Sequence, residues 1–216
     1  METCKKKNIL ITAGPTWVPI DSIRIITSVF GGRLGWEIAR EANRKGHRVT
    51  LLMGPGRILG LNRKTIPYKI IRFKYFDELL SLIKKELQLR SYDVMIHSAA
   101  VPDYIPKKVI SGKIKSGNSN LEIKFERTIK IVNLIKKIDP KIFLVKFKLE
   151  VNTKISELIK VAYKSMIESN ADLIIANDFN DMKNLHKAFI IKKDKSYFIV
   201  EGKKQIAKKI VNLISK

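Results

Sequence analysis

The sequence predicts an α/β protein: a mostly parallel sheet with helices on both faces and an antiparallel hairpin toward the C-terminal end. Three observations carry this. Runs such as "KNILITAG" (7–14), "HRVTLLMG" (47–54) and "ADLIIAND" (171–178) are unbroken apolar stretches, as strands buried on two sides require. Helical patterns separate most of these runs, the rhythm of βαβ units. "KAFIIKKDKSYFIVEG" (187–202) places two β-rich runs across a "KKDK" turn. No linker, repeat or low-complexity segment divides the chain, so residues 1–216 are read as one domain.

The first strand, 7–14, ends at Gly14-Pro15, a pair that punctuates strands. Residues 33–45 put Leu34, Ile38, Ala39 and Ala42 on one helical face. A second strand, 47–54, closes at Gly54-Pro55-Gly56, and "YKIIRF" (68–73) makes a third. Residues 76–88 form an amphipathic helix with Asp77 near its positive end. "DVMIHSAA" (93–100) is a fourth strand, followed by an irregular loop over 101–120 and a short strand over 120–126. Helix 129–138, strand 142–149, helix 154–168 and strand 171–178 come next. After the hairpin, helix 203–216 turns Ile206, Ile210, Leu213 and Ile214 inward and its lysines outward.

With 43 basic and 20 acidic residues, the formal net charge is +23. Such a field attracts anions. The lysines are spread evenly and no nucleic-acid motif accompanies them, so nucleic acid is not the expected partner. No run reaches membrane-span length, and no apolar signal core precedes the first strand. With Cys4 as the lone cysteine, the expectation is a cytoplasmic protein without an internal disulfide. Cys4 is not expected to be a nucleophile. His47, His97 and His186 lack metal-ligand spacing, are read as structural or exposed, and no protein metal site is expected.

Ligands of open α/β sheets bind beyond the carboxyl ends of the strands. Gly14-Pro15-Thr16, Ala99 to Asp103, Phe147 and Asn177-Asp178 all fall near such ends. Gly31, Gly32 and Gly35 open a helix, where unpaired N–H groups and the dipole favour an anion. Two readings stand: an anion site, or a tight turn with close helix packing. A dinucleotide fingerprint is disfavoured, because about 17 residues separate the first strand from Gly31 and the second strand ends without a carboxylate. The loop "AAVPDYIPKKVISGKIKSG" (99–117) carries four lysines between Lys107 and Lys115, with Gly112 and Gly117 as hinges. It reads as a cationic flap or as a solvated loop.

"ITAGPTWVPIDSIR" (11–24), the glycine loop, "AAVPDY" (99–104), "KIK" (113–115) and "IIAND" (174–178) occur in one order across nearly the whole chain. In combination they resemble the phosphopantothenoylcysteine synthetase (phosphopantothenate–cysteine ligase) domain family, with this chain a divergent, stand-alone member. The resemblance implies a dimeric Rossmann-like fold acting in coenzyme A synthesis. It implies activation of the carboxylate of 4′-phosphopantothenate by CTP or ATP with Mg²⁺, then amide formation with cysteine. By the same resemblance Gly14, Gly32 and Gly35 bind nucleotide through backbone groups. Thr128, Lys130 and Ile131 in "RTIKIV" line the base pocket, with Phe147 and Asn177 beside the nucleotide. Arg24, Ala99, Ala100 and Asp103 fall at substrate-contacting positions, and Lys113 at the flap lysine facing the triphosphate and the reaction centre.

The departures lie in the catalytic loop. Family members typically read "SNxSSG" or "TNxSTG" where this chain reads Thr27-Ser28-Val29-Phe30-Gly31-Gly32. Ser28 thus replaces an asparagine that handles the acyl-nucleotide, leaving one hydroxyl for an amide group. Phe30 replaces a small polar residue facing the phosphates, and Lys146 replaces glycine before Phe147. Ser165 and Ser169 align with two lysines of some CTP-using members. The expected function is ligation through an acyl-nucleotide; the alternative is a catalytically impaired nucleotide-binding homologue.

Overall fold

Strand β1 (Asn8–Ala13) sits inside the sheet and explains its layering. Ile9, Ile11 and Ala13 point to one face and Leu10 to the other, and all are fully buried. An interior strand therefore needs apolar residues at every position, which is why its sequence does not alternate. The computed structural model describes residues 5–56, 66–89, 91–117 and 119–216, with the side chains of residues 183 and 184 left aside; Cys4 lies outside the described residues.

The chain continues through β2 (Val18–Pro19), β3 (Ile25–Ile26), α1 (Arg33–Arg44), β4 (Arg48–Met53) and β5 (Lys69–Arg72). Helix α2 (Phe76–Leu89) leads to β6 (Val94–His97), β7 (Tyr104–Pro106), β8 (Phe125–Arg127) and α3 (Val132–Ile138). Then come β9 (Phe143–Glu150), α4 (Ile155–Glu168), β10 (Leu173–Asp178), α5 (Phe179–Asn184), β11 (Lys187–Lys192), β12 (Tyr197–Glu201) and α6 (Lys203–Ile214). The main sheet has eight strands in the order β12-β11-β10-β9-β6-β1-β4-β5. From β9 to β5 neighbouring strands are parallel, as are β10 and β9, while β10–β11 and β11–β12 are antiparallel. The expected C-terminal hairpin is therefore present.

Helices α1 and α6 pack together on one face, α1 burying Ile38, Ala39 and Ala42 over β1 and β4, and α6 burying Ile206, Ile210 and Ile214 against α1 and the β12 side. On the other face, α2, α3 and α4 bury Leu79, Ile83, Ile135, Leu158 and Met166 against Leu10, Leu52, Met95 and Leu144. From β1 the chain moves outward to β4 and β5, then returns through β6 to β9 and β10 on the other side. The direction of winding reverses between β1 and β6, and that switch point opens a crevice at their carboxyl ends.

Three stretches differ from expectation. Within 101–120 lies β7, which pairs with β8, so the region is a hairpin stem carrying a loop. The strand expected over 120–126 is limited to Phe125–Arg127. Helix α3 begins at Val132 instead of 129, leaving 128–131 outside the helix and along the crevice. The small pair β2–β3 lies against β7, and the Ile110 N–H donates to the Ile20 carbonyl at 2.9 Å.

Candidate functional site

The rim beyond β1 and β6 is stitched by backbone. The Ala100 N–H donates to the Gly14 carbonyl at 3.0 Å, and the Thr16 N–H to the Ala100 carbonyl at 3.1 Å. Thr27 Oγ1 donates to the Thr16 carbonyl at 3.0 Å, fixing the loop that carries Ser28 to the same rim. Gly14, Ala100, Ser28, Gly32 and Gly35 thus occupy one contiguous station.

Gly32 is the residue before α1 and is left-handed, with φ of 81°. A Cβ there would lie 2.6 Å from the Gly14 nitrogen, and a Cβ on Gly35 would lie 2.5 Å from the Ala13 Cβ. Close packing of α1 onto β1 is therefore one reason for both glycines. The other reading survives beside it, since the helix begins without a side-chain cap on its first N–H groups.

A cleft of about 200 Å³ opens over β6 and β9. Ala99, Asp103, Thr128, Lys130, Ile131 and Phe147, all singled out from the sequence, contribute to its wall. His97, Lys146, Lys148 and Ser165 complete the polar part. Thr128 Oγ1 donates to the Pro102 carbonyl at 2.7 Å, and the Thr128 N–H to the Asp103 carbonyl at 3.0 Å. These bonds hold the 128–131 segment against the segment leaving β6. Lysines outnumber carboxylates along this wall, so it favours an anion.

Inside the cleft, burial and then the charge of Lys146 push the His97 imidazole down to about 4, so it is neutral at pH 7. Its Nδ1 lies 3.0 Å from Thr12 Oγ1, which also accepts from the Ala99 N–H at 3.2 Å. Lys146 reaches across to α4 and donates to Ser165 Oγ at 2.9 Å and Ser169 Oγ at 3.0 Å. An ammonium is thus delivered from β9 to the two serines that align with family lysines. Sequence reasoning counted Lys146 only as a loss of glycine; its long reach across to the neighbouring helix has no signature in the sequence.

A third station lies on the β2–β3 turn. Asp21 is buried and pairs with Arg24, and it accepts from the N–H groups of Ile23 at 2.9 Å, Arg24 at 2.7 Å and Ile114 at 3.0 Å. Although burial opposes ionisation, these N–H groups and the Arg24 guanidinium hold its carboxyl far below the usual carboxylate range. The Gly112 N–H donates to Ser22 Oγ at 3.0 Å. Lys113 is therefore exposed between two backbone anchors, its attachment fixed and its ammonium outward.

Two residues are differently disposed. Asn177 is buried and its amide donates to the Lys187 carbonyl at 2.9 Å, joining β10 to β11. Phe30 turns edge-on to Phe179, with ring centroids 6.1 Å apart, and is not part of the cleft wall. Ser28 Oγ is buried, with no hydrogen-bond partner among the described residues. The three histidines are all buried, so none takes the exposed alternative. Among the described residues no group of three His, Cys, Asp or Glu could hold a metal ion, and no helix is long and apolar enough to cross a membrane.

Residues 4–216 match the family described as DNA/pantothenate metabolism flavoprotein C-terminal domain. The chain is 37% identical over 171 residues to the coenzyme A biosynthesis bifunctional protein CoaBC of Thermococcus kodakarensis, covering 79% of this chain and 41% of that protein. It is 32% identical over 218 residues to CoaBC of Borreliella burgdorferi, covering 97% of this chain and 53% of the relative. The chain thus spans about half the length of these relatives, or less. The crystal structure of the DNA/pantothenate metabolism flavoprotein from Streptococcus pneumoniae superposes with a TM-score of 0.86 at 30% identity, over 96% of this chain and 98% of that one. The C-terminal domain of a CoaBC protein superposes with a TM-score of 0.77 at 28% identity, over 100% of this chain and 97% of that one. By a match over nearly its full length, and by the sheet and loops that the match implies, this chain belongs to the family of DNA/pantothenate metabolism flavoprotein C-terminal domains.

Proposed function

We propose that this chain is a phosphopantothenate–cysteine ligase that works through an acyl-nucleotide. The observation that carries the reading is the gathering of Ala99, Asp103, Thr128, Lys130, Ile131 and Phe147 into one cationic cleft over the carboxyl end of β6 and the adjoining β9. The curated relatives named as coenzyme A biosynthesis proteins support it.

In this reading a carboxylate oxygen of 4′-phosphopantothenate attacks the α-phosphorus of CTP or ATP, and pyrophosphate leaves. The amine of cysteine then attacks the acyl carbon, forming the amide and releasing the nucleoside monophosphate and a proton. Such chemistry rests on alignment and charge neutralisation. The segment 128–131 and Phe147 line the cleft that takes the nucleotide, and the Gly32 and Gly35 turn receives phosphate oxygens. Lys113 swings in from its anchored flap to meet the charge that develops on the leaving pyrophosphate, while Arg24 and Asp103 orient the acid. Ser28 stands at the acyl-nucleotide position. Mg²⁺ would accompany the triphosphate, with Asp103 and phosphate oxygens to hold it and no protein cage. Bound there, it neutralises phosphate charge.

The first test is thermal. At a concentration about 100 times the dissociation constant, CTP or ATP with Mg²⁺ raises the melting temperature by roughly 5–10 °C, while NAD does not. Stabilisation by NAD alone contradicts the reading. The second reading, nucleotide binding without ligation, is favoured by the buried Ser28 hydroxyl, which has no hydrogen-bond partner among the described residues. It predicts the same stabilisation with no pyrophosphate release, and a gain of release in the Ser28→Asn, Phe30→Ser double variant.

A homodimer is the proposed assembly. The β2–β3 and β7–β8 pairs expose Ile23, Ile25, Ile26, Tyr104 and Phe125, an apolar surface suited to a second copy. Light scattering is expected to return twice the 24.8 kDa chain mass, and Ile26→Glu to return one; a monomeric wild type contradicts the assembly.

A further inference from the structure

Lys146 is only 7% exposed, yet it belongs to the wall of the cleft. Its three N–H donors go to neutral oxygens: the Ser165 carbonyl at 2.8 Å, Ser165 Oγ at 2.9 Å and Ser169 Oγ at 3.0 Å. Among the described residues no carboxylate lies within ion-pair distance of it. The groups around it are Lys148 on its own strand, Lys130 ahead of α3, His97 on β6, Glu168 at the end of α4 and Asp103 across the cleft. Lys148 already pairs with Glu150 at 2.9 Å. Burial, then Lys130, push the Lys146 ammonium down to about 8, with Glu168 opposing.

A buried cation without a counter-ion is costly, and an anion arriving beside it removes that cost. The serine gives the anion a contact. Ser165 Oγ accepts from Lys146, and its own hydrogen meets no acceptor among the described residues. Ser165 also lines the cleft, so a hydroxyl polarised by an ammonium faces the space a ligand would fill.

We propose that Lys146 and Ser165 form a buried anion station in this cleft, Lys146 supplying the charge and Ser165 the hydrogen bond to a phosphate oxygen. The proposal rests on the nucleotide reading above and takes that oxygen from the polyphosphate of the nucleotide. The phosphate of the acid substrate offers the same chemistry, and the experiment separates the two.

The whole chain and its Lys146→Met and Ser165→Ala variants are titrated by calorimetry with sodium tripolyphosphate, CTP, cytidine and 4′-phosphopantothenate. Lys146→Met weakens tripolyphosphate and CTP about 10–100-fold and leaves cytidine unchanged; Ser165→Ala does the same about 5–10-fold. If Lys146→Met does not fold, the serine variant carries the comparison alone. Tripolyphosphate binding to the wild type weakens from about pH 7 to about pH 9 as the ammonium loses its proton, and this slope disappears in Lys146→Met. Weakening of 4′-phosphopantothenate but not CTP keeps the station and transfers its phosphate to the acid. Equal loss for cytidine, no loss for any phosphate, or a wild type that does not bind tripolyphosphate overturns the proposal. If pyrophosphate release is absent while the tripolyphosphate difference persists, the ligase reading fails and the anion station stands.

Discussion

Replacing Lys113 with alanine is expected to lower pyrophosphate release about 10²–10³-fold while changing stability by no more than about 0.5 kcal/mol. The two expectations have separate origins in the structure. Lys113 is exposed, and the chain around it is held by the N–H groups of Gly112 and Ile114 on Ser22 and Asp21, which the substitution leaves intact. In the proposed mechanism its charge reaches the triphosphate only when the flap meets the nucleotide, so its removal is expected to be felt in the transition state. Steady-state kinetics and urea unfolding of the same variant check both halves. A fall in stability with unaltered turnover would make Lys113 a surface lysine.

Gly32→Ala is expected to act on the fold as well as the site. The new methyl meets the Gly14 nitrogen at 2.6 Å and the Gly14 Cα at 2.7 Å, and the φ of 81° disfavours any residue with a Cβ. The closest contacts are backbone atoms of Gly14, which leave little room for relaxation, and a loss of about 3 kcal/mol or more is expected. Nucleotide stabilisation should vanish with it, because the turn and the first N–H groups of α1 move together. Gly46 provides the comparison. It also has a positive φ, of 86°, but a Cβ there would meet nothing within 4 Å. Gly46→Ala should therefore cost only the backbone term, about 1–2 kcal/mol, and leave nucleotide binding untouched. Urea unfolding of the pair, with and without CTP, measures the difference; equal costs would contradict the close contact at Gly32.

The strands of the main sheet were legible because an interior strand must be apolar on both faces. β1, β4 and β10 announce themselves by continuous runs, and β11–β12 by two runs around a polar turn. Elements made by distant pairing were not legible. Tyr104–Pro106 and Phe125–Arg127 are three-residue strands whose pairing crosses the whole flap, and neither has room for a periodicity. Helix α5 is only six residues long, but its start was signalled. Asp178 accepts from the Asn180 N–H at 2.9 Å, and Asp181 sits in the first turn, a capping signal that the preceding apolar run obscured.

The candidate site divides in the same way. The segments 99–103 and 128–131 lie next to strand or helix ends, whereas Phe147 sits inside β9 just past its last pairing with β6, and their meeting at one cleft follows from the order of the sheet. The sequence placed Asn177 at the same rim, yet its amide is committed to Lys187 on the next strand. Asp21 stands in the 11–24 motif without an assigned role, although four donors converge on it. Lys146 was read as an intrusion before Phe147, and only the fold shows its amine reaching Ser165 and Ser169. A side chain whose role depends on a partner about twenty residues away on another element carries no local mark.

The central claim is that this cleft activates a carboxylate with a nucleoside triphosphate. Pyrophosphate release tests it most directly, measured with CTP or ATP, Mg²⁺, cysteine and 4′-phosphopantothenate, and again with the acid left out. The account predicts release that requires the acid and is lost in Lys113→Ala. Release independent of the acid, or none above the Lys113→Ala background with either nucleotide, would contradict it.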